Sequence, residues 1–266
     1  MIKKKYKYIY GPVNSWRLGA SLGIDPIVKD GKVCSFDCLY CQIGKTKELT
    51  TSRAVFVGEK ELMDEIQSLP KAKIDYITFA GNGEPTLASN LGRMISAIRK
   101  SRKEKIAVIT NASLLSDKNL RNELLMADFV LAKLDAPNDT LLRKINRPAK
   151  VLKFRNIIEG LKVFRKEFNG RYGIQIMFSK INKDSARDLA KLVKRINPDE
   201  VEINTPLRPC PVKPLSRFEI SKICSLFKEI LSGSGIKIIS VYEAKKAPNV
   251  RSISSKDTIR RRGKPV

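Results

Sequence analysis

Three cysteines, Cys34, Cys38 and Cys41, lie within eight residues, separated by three residues and then by two. Thiolates are soft ligands that suit both iron–sulfur clusters and zinc. Ordinary electron-carrying [4Fe–4S] sites use four cysteines, so three cysteines on one short loop leave one iron without a protein ligand. The spacing therefore predicts a cluster with an exchangeable position, at which a small molecule binds and reacts.

A structural zinc site is the alternative for these thiolates, and the composition argues against it. Such sites complete four ligands from cysteine and histidine, and the chain contains no histidine. The other two cysteines, Cys210 and Cys224, lie far downstream and belong to no Cys-x-x-Cys pair. We expect Cys224 to pack within an apolar helix face. Cys210 is either a thiol on the substrate side or a surface cysteine without a role.

A second segment, Gly81-Asn82-Gly83-Glu84, follows Cys41 by 40 residues and ends an apolar run. Glycine allows the backbone to approach a ligand closely. The cysteine spacing, the aromatic residue before the last cysteine and this glycine turn together resemble the radical S-adenosylmethionine (radical SAM) superfamily. The resemblance implies that SAM binds the open iron and that the turn receives its methionine amino group. Gly83→Val is then expected to abolish SAM binding while the cluster content stays near that of the wild type.

The resemblance also implies the cofactors, a [4Fe–4S] cluster and SAM, which the reduced cluster cleaves to a 5′-deoxyadenosyl radical. Further SAM contacts are implied at Thr110 and Asn111, which end one predicted strand, and at Asp135, which follows the next. A plain turn at Asn111 and a buried ion pair between Asp135 and Lys133 are the structural alternatives. No single catalytic residue stands out. Without histidine, proton transfer would fall to lysine, tyrosine, cysteine or a carboxylate.

Short apolar runs alternate with amphipathic stretches, which predicts βα units and a parallel sheet. The resemblance implies a partial (β/α)6 barrel, open on one side, with its chemistry at the C-terminal strand ends. A doubly wound open sheet is the alternative, but it does not explain a cysteine loop directly after the first strand. The predicted strands are residues 21–28, 74–80, 106–110, 129–134, 173–178, 200–204 and 236–241, and the predicted helices are 59–68, 90–99, 116–125, 153–168, 185–196 and 217–231.

The charge of the chain is extreme, with 52 Lys and Arg against 27 Asp and Glu, a net charge of +25. Such an excess favours a polyanionic partner, nucleic acid first, although a solvated lysine-rich surface is the alternative. The densest unopposed charge is Arg260-Arg261-Arg262 with Lys264. We divide the chain into a core domain, residues 1–232, and a short basic C-terminal extension, residues 233–266.

The segment from Gly11 to Pro26 looks like the opening of a group of small iron–sulfur oxidoreductases related to the wyosine-type tRNA-modifying enzymes (4-demethylwyosine synthase). Ile145-Asn146-Arg147-Pro148 belongs to the same resemblance. Asn14 and Trp16 depart from the proline and arginine of that group. No cysteine precedes Cys34, so the second cluster of the wyosine enzymes, and with it their reaction, is not transferred to this chain.

These observations predict a radical SAM enzyme that modifies tRNA or another RNA and receives electrons from a protein such as flavodoxin or ferredoxin. A radical SAM modifier of a protein or peptide is the first alternative. A non-enzymatic iron–sulfur carrier or zinc-loop RNA-binding module is a remote one. No apolar stretch approaches the roughly 20 residues that span a bilayer, and clustered cysteines suit a reducing compartment. We therefore expect a cytoplasmic protein without a membrane partner.

Overall fold

A single large sheet organises the molecule, for which the computed structural model describes residues 6–244, 250, 252, 253 and 258. The strands are β1 (Ile9–Ser15), β2 (Gly19–Ile24), β3 (Lys32–Cys34), β4 (Thr46–Leu49), β5 (Tyr76–Phe79), β6 (Lys105–Thr110), β7 (Phe129–Lys133), β8 (Arg171–Met177), β9 (Glu200–Asn204) and β10 (Lys237–Ser240). Eight of them form one sheet in the order β1-β2-β5-β6-β7-β8-β9-β10, while β3 and β4 pair separately. Strand β1 is antiparallel to β2, and the other neighbours in the large sheet are parallel.

Helices connect the parallel strands and cover the outer face of the sheet. They are α1 (Glu59–Gln67), α2 (Leu91–Ser101), α3 (Lys118–Leu124), α4 (Asp139–Ile145), α5 (Phe154–Glu167), α6 (Ala186–Ile196) and α7 (Arg217–Ile230). Each buries an apolar stripe of helical period; in α2 the stripe is Leu91, Met94, Ile95 and Ile98. The predicted α/β class, with repeated βα units around a parallel sheet, is confirmed.

The inner face of the sheet holds a small apolar cluster of its own. Leu18, from the turn between β1 and β2, packs there against Ala107, Phe129 and Leu131. Side chains alternate between the two faces of a strand, so the next inward positions include Ile109, Lys133 and Gln175, which line a cavity. The apolar cluster thus fills one end of the interior, and the cavity opens towards the C-terminal ends of the strands.

Several elements differ from the predicted ones. The cysteine loop follows β3 rather than the predicted strand 21–28. That strand is β2, and it ends at Ile24, where the Asp25 carboxylate accepts a hydrogen bond from the Ile27 N–H (3.1 Å) and forms a turn. Helix α3 was predicted to begin at residue 116. Its N-cap is instead Asp117, whose side chain accepts a hydrogen bond from Asn119 N. Strands β1, β3 and β4 and helix α4 were not predicted. Glycine and proline within β1 and the short length of β3 and β4 hide the strand pattern.

The C-terminal part of the described chain returns to the large sheet. Strand β10 pairs with β9 and lies beyond the predicted boundary at residue 232. Further on, Ile253 N donates to the Gly11 carbonyl (2.6 Å), and Gly11 N donates to Thr258 Oγ1 (3.1 Å). The division into core and extension stays a prediction. The basic residues Arg260-Arg261-Arg262 and Lys264 lie outside the described residues.

Candidate active site

The three cysteines lie together at the rim of the interior cavity. Cys34 is the last residue of β3 and is buried, whereas Cys38 and Cys41 are half-buried in the loop that follows. A tight turn, in which Cys41 N donates to the Cys38 carbonyl (3.1 Å), shapes that loop. All three cysteines line a cavity of about 590 Å³, so a group bound to them would face the interior of the sheet.

Amide donors reach two of the three sulfur atoms. Asn146 Nδ2 lies 3.3 Å from Cys38 Sγ, and Asn111 Nδ2 lies 3.6 Å from Cys34 Sγ. The Phe36 N–H also donates to Cys34 Sγ (3.5 Å). Hydrogen bonds to ligand sulfurs are one of the means by which proteins set the reduction potential of iron–sulfur clusters. These sulfur environments therefore suit thiolates that bind a cluster.

Burial affects the pKa of two of the cysteines, Cys34 and Cys38. Burial, and next the negative charge of Glu84, raise the pKa of Cys34 to about 12. Burial, and next Asp135, raise the pKa of Cys38 to about 11. Burial lowers the pKa of the neighbouring Lys32, but attraction to Cys41, Cys34 and Cys38 outweighs it, so that this pKa lies above its ordinary value. A metal that binds these thiols must displace their protons, and the buried ammonium of Lys32 then compensates the thiolate charge.

The donor set fits a cubane cluster. Among the described residues, no three cysteine or carboxylate side chains converge as ligands of one metal ion. A cubane takes one thiolate at each of three irons, so the three sulfurs need not meet at one point. Three local cysteines, amide donors to two of their sulfurs and an adjoining cavity supply what a [4Fe–4S] cluster with one open iron needs.

Glu84 is a buried residue whose hydrogen bonds connect the glycine turn to the end of β6. Its carboxylate accepts from the Thr110 hydroxyl (2.6 Å), the Asn111 N–H (2.7 Å) and the Thr86 hydroxyl (2.7 Å). Burial raises the pKa of Glu84 above its ordinary value, and these hydrogen bonds oppose that rise. With its oxygens engaged in this way, Glu84 holds the predicted SAM-binding segments, the glycine turn and the Thr110-Asn111 strand end, in one fixed arrangement.

The glycine turn is also a close backbone contact with the cysteine segment. A Cβ atom at Gly83 would lie 1.9 Å from the carbonyl oxygen of Val33, the residue before Cys34. A Cβ at Gly81 would lie 2.6 Å from Cγ of Asp25. Because a side chain here would displace the strand that presents Cys34, this contact argues against the expectation that Gly83→Val spares the cluster.

Asp135 is placed behind the cysteine loop. One carboxylate oxygen accepts from the Tyr40 hydroxyl and from Asn146 Nδ2 (2.8 Å), and the other accepts from Met177 N (2.8 Å) and lies 3.4 Å from Lys133 Nζ. The ion pair between Lys133 and Asp135, one of the two alternatives for these residues, is thus present. Through these contacts Asp135 positions Tyr40 and the amide that reaches Cys38 Sγ.

The structure brings most of the predicted site residues to one cavity. Asn82 and Asp135 do not line it. Asn82 Nδ2 instead donates a hydrogen bond to the Gly31 carbonyl (3.1 Å). Cys210 is also outside the lining, and its thiol donates to the Val212 carbonyl (3.2 Å). Cys224 is buried in α7, as predicted. The predicted residues that line the cavity are Cys34, Cys38, Cys41, Gly81, Gly83, Glu84, Thr110 and Asn111.

Sequence reasoning missed other residues of this site. Asn146 belongs to a segment that carried the family resemblance but was given no role, and Lys32 had only its position two residues before Cys34 as a signal. Gln175 lies inside the predicted strand 173–178, where one polar residue between two isoleucines does not indicate a binding site. Further cavity-lining residues without a predicted role include Trp16, Arg17 and Arg208.

Comparison with known proteins agrees with this site. The model of the radical SAM superfamily matches residues 28–193, a span that includes the three cysteines, the glycine turn and strands β5 to β8. The chain belongs to the radical SAM superfamily. It is accordingly an enzyme with radical chemistry, and its cofactors are a [4Fe–4S] cluster and SAM.

The radical SAM chain is also similar to individual proteins. It is 40% identical over 208 residues to the UPF0026 protein slr1464 of Synechocystis sp., covering 77% of each chain. A solved structure of TYW1 with a lysine-pyruvate adduct bound has a TM-score of 0.61 at 17% identity, with 79% of this chain and 73% of that chain covered. Streptococcus suis SuiB bound to the precursor peptide SuiA has a TM-score of 0.64 at 14% identity, covering 82% and 48%. At these identities the two structures show the shared fold.

One further finding concerns the helices. None in the described part of the radical SAM chain combines the length and the apolar character that a membrane crossing requires.

Proposed function

We propose that this radical SAM enzyme modifies tRNA or another RNA, in the cytoplasm, with electrons from a protein such as flavodoxin or ferredoxin. One observation carries the catalytic part of the proposal. The three cysteines and the predicted SAM-binding turn line the same cavity, and Glu84 and the Gly83–Val33 contact fix them relative to each other.

In this proposal Cys34, Cys38 and Cys41 hold three irons, and the turn at Gly81 and Gly83 receives the methionine end of SAM. When bound, the cluster and SAM together supply a carbon-centred radical that abstracts hydrogen from an unreactive carbon of the substrate. The protein binds, orients and shields these groups. Glu84 at the cavity surface, and Asn82 and Asp135 behind it, position these segments.

The chain's own residues have three tasks. Phe36 and Tyr40 are buried beside the cysteines and exclude water from them. Asn111 and Asn146 orient two of the sulfurs and stabilise their negative charge through N–H donors. Lys32, which is 6% exposed, places a positive charge against the thiolates.

Exposed cations beside the cysteine loop support an RNA substrate. Backbone bonds from Asp37 N to the Asn146 carbonyl (2.9 Å) and from Ala149 N to the Ser35 carbonyl (2.9 Å) hold residues 144–150 against that loop. Lys144, Arg147 and Lys150 in this segment are exposed and form no ion pair with another described residue. Together with the net charge of +25, they place positive charge next to the cavity, where a phosphate backbone would bind.

The cofactor assignment is tested by cysteine replacement. Changing Cys34, Cys38 or Cys41 to alanine should remove most of the bound iron and all SAM cleavage, because each thiolate holds one iron. Cys210→Ala and Cys224→Ala are the matched controls and should keep the cluster absorbance. Loss of the cluster in Cys210→Ala would show a fourth protein ligand and would contradict the open iron.

The substrate class is tested by reaction. Reduced protein is incubated anaerobically with SAM and cellular tRNA, and the nucleosides are analysed by mass spectrometry. A new modified nucleoside that depends on SAM and on Cys34 is the expected result. No nucleoside change, together with SAM-dependent change of a protein or peptide fraction from the same cells, would replace the RNA proposal with the peptide-modifying alternative.

A further inference from the structure

One arginine reaches the interior of the cavity from the turn between β1 and β2. Arg17 lines the cavity, and its side chain is 20% exposed. Its Nε donates to Oε2 of Glu202 (2.5 Å), a residue in the middle of β9 whose side chain is fully buried. Glu202 is the register neighbour of Gln175 in β8, and Gln175 is that of Lys133 in β7. The guanidinium therefore lies at one end of a row of side chains that crosses three neighbouring strands.

The guanidinium of Arg17 is held on two sides. The indole ring of Trp16, the preceding residue, stacks on it, with Arg17 Cζ 4.1 Å from the ring centroid. On another side Glu202 Oε2 accepts from Arg17 Nε, and the same oxygen accepts from Gln175 Nε2 (2.8 Å). A binding group that is ordered before its ligand arrives loses less conformational entropy when the ligand binds. These contacts fix the orientation of the guanidinium within the cavity.

The turn offers several hydrogen-bond donors to one ligand. A guanidinium carries five N–H donors in a planar fork, and towards the described part of the chain Arg17 donates from Nε alone. Nη1 and Nη2 form an edge that binds two oxygens of an anion at once. Ser15, the last residue of β1, also lines the cavity, and its Oγ accepts from the Leu18 N–H (3.2 Å). The Ser15 hydroxyl hydrogen is then a third donor beside the two guanidinium nitrogens.

The charge of the cavity lining favours an anion. Among the described residues that line it, four are cations and one is a carboxylate, Glu84, whose oxygens are engaged at the glycine turn. Glu202 does not belong to the lining, so a ligand meets the cationic side of its pair with Arg17. A cleft lined mainly by one sign of charge concentrates ligands of the opposite sign. The cationic lining residues are Arg17, Lys32, Lys133 and Arg208.

We propose that Arg17 and Ser15 form a binding site for a phosphate monoester inside the cavity. The three donors match the three terminal oxygens of such a group, whereas a carboxylate has two oxygens. Nη1 and Nη2 bind two of the oxygens as a fork, and the Ser15 hydroxyl binds the third. SAM carries no phosphate, so the group bound here belongs to the substrate.

The phosphate monoester has two sources with the same chemistry. One is the 5′ end of an RNA, and this source rests on the proposed RNA substrate. The other is a free nucleoside 5′-monophosphate, for which a cavity of about 590 Å³ has the size of a small-molecule site. A phosphate within an RNA chain keeps only two terminal oxygens and does not fill the three donors.

Binding measurements distinguish these sources. Cluster-loaded protein saturated with SAM is titrated anaerobically, by calorimetry, with one short RNA oligonucleotide carrying either a 5′-phosphate or a 5′-hydroxyl. The four nucleoside 5′-monophosphates are titrated in the same way. We expect the 5′-phosphate to tighten binding of the oligonucleotide about 10- to 100-fold, as hydrogen bonds to a charged group do. Binding of a monophosphate without this preference would assign the site to the free nucleotide.

Variants connect the phosphate to the arginine. Arg17→Met should abolish the gain from the phosphate, and Arg17→Lys should keep part of it, because lysine keeps the charge but not the fork. Since Arg17→Met leaves the buried Glu202 carboxylate without its partner, the double variant Arg17→Met/Glu202→Gln is measured as well and should show the same loss. Arg93→Met is the matched control. Arg93 also contacts a carboxylate through Nε at 2.5 Å, that of Glu59, but is 67% exposed and outside the cavity.

The outcomes separate this site from the RNA substrate. A protein that binds RNA regardless of its 5′ end and binds no monophosphate would overturn the site and leave the RNA substrate standing. A phosphate preference that persists in Arg17→Met, or is lost equally in Arg93→Met, would also overturn the site. Loss of SAM affinity in the double variant would assign Arg17 to SAM instead. A protein that binds no RNA but binds a monophosphate through Arg17 would overturn the RNA substrate and support the site.

Discussion

At the scale of single residues, the polar groups around the cysteines have two kinds of role. Some face the cavity, as Thr110 and Asn111 do, and others lie one layer behind it, as Asp135 does. Asn146 connects the layers, because its side-chain N–H groups reach Cys38 Sγ, the Tyr40 hydroxyl and the Asp135 carboxylate. Asp135, whose contact with SAM stays a prediction, is therefore connected to the cysteine loop through Asn146.

Asn146→Ala is expected to lower the reduction potential of the cluster. The N–H donor stabilises the more negative, reduced state, so its removal should shift the potential downwards by on the order of 60 mV, a tenfold change in a one-electron equilibrium. A redox titration followed by electron paramagnetic resonance measures the shift. Asn82→Ala is the matched control, because that amide donates to the Gly31 carbonyl and not to a sulfur; equal potentials in both variants would contradict the role of Asn146.

The residues that could be predicted are those whose signal is local. Cys34, Cys38 and Cys41 can be recognised as ligands from their spacing on one loop. Asn146 is 108 positions from the cysteine that it contacts, and a buried lysine such as Lys32 reads in the sequence like any surface lysine. Contacts made across the fold, rather than within a segment, leave no pattern that a single sequence displays.

At the scale of elements, the strands and helices position the site by close backbone contact. The turn after β5 meets β3 at Gly83, where Glu84 N donates to the Val33 carbonyl (3.2 Å) and no Cβ fits. The glycine therefore serves the packing of two elements, and a bulky substitution cannot separate this role from the predicted contact with SAM.

Gly83→Ala should lower iron content and SAM binding together. The added methyl group forces apart the turn and the strand that ends in Cys34, and overpacking of this kind typically destabilises by about 1–3 kcal/mol. Iron analysis, SAM calorimetry and thermal unfolding measure the three effects. In the control Gly58→Ala, the new Cβ meets only the flexible end of Glu61 and should change none of them; a Gly83→Ala protein with full iron but no SAM binding would show that the glycine serves the ligand alone.

Elements with a clear period were predicted well, and the others were not. Strand β9 matches its predicted residues, Glu200–Asn204, because polar and apolar residues alternate along it and a proline lies near each end. Strand β1 was missed because Gly11 and Pro12 interrupt its alternation. The cysteine loop was attached to the wrong strand because the predicted strand, residues 21–28, runs through Asp25-Pro26, a turn signal at which the chain leaves the sheet.

At the scale of the whole molecule, the proposal of a polyanionic partner rests on the positive charge and involves the C-terminal segment. Thr258 accepts a hydrogen bond from Gly11 N and lies 3.0 Å from the Ser252 hydroxyl. A deletion that begins at residue 258 would remove these hydrogen bonds together with the basic tail. A truncation after Thr258 removes residues 259–266, whose charged side chains are Arg260, Arg261, Arg262 and Lys264, and keeps the Thr258 hydroxyl that bonds to β1.

This truncation is expected to weaken tRNA binding and to flatten its salt dependence. Removing one cation from a phosphate should reduce the slope of log K against log salt by about 0.9 on duplex and about 0.7 on single strands. Filter binding over a series of salt concentrations measures the slope, and SAM cleavage without substrate should persist. Alanine at the four cations in the full-length chain is the control for length; an unchanged slope in both proteins would move the RNA contact to another surface, such as the one around Lys144 and Lys150.

The contact between β1 and residues Ile253 and Thr258 has a consequence for synthesis. Strand β1 is an edge of the large sheet, and Gly11 exposes its N–H and carbonyl on the outer side until Ile253 and Thr258 occupy them. An uncovered edge is a template for pairing with another chain. On the ribosome β1 is made before Ile253 and Thr258, so a nascent chain that has not yet reached these residues would present an uncovered sheet edge that they cover in the folded protein.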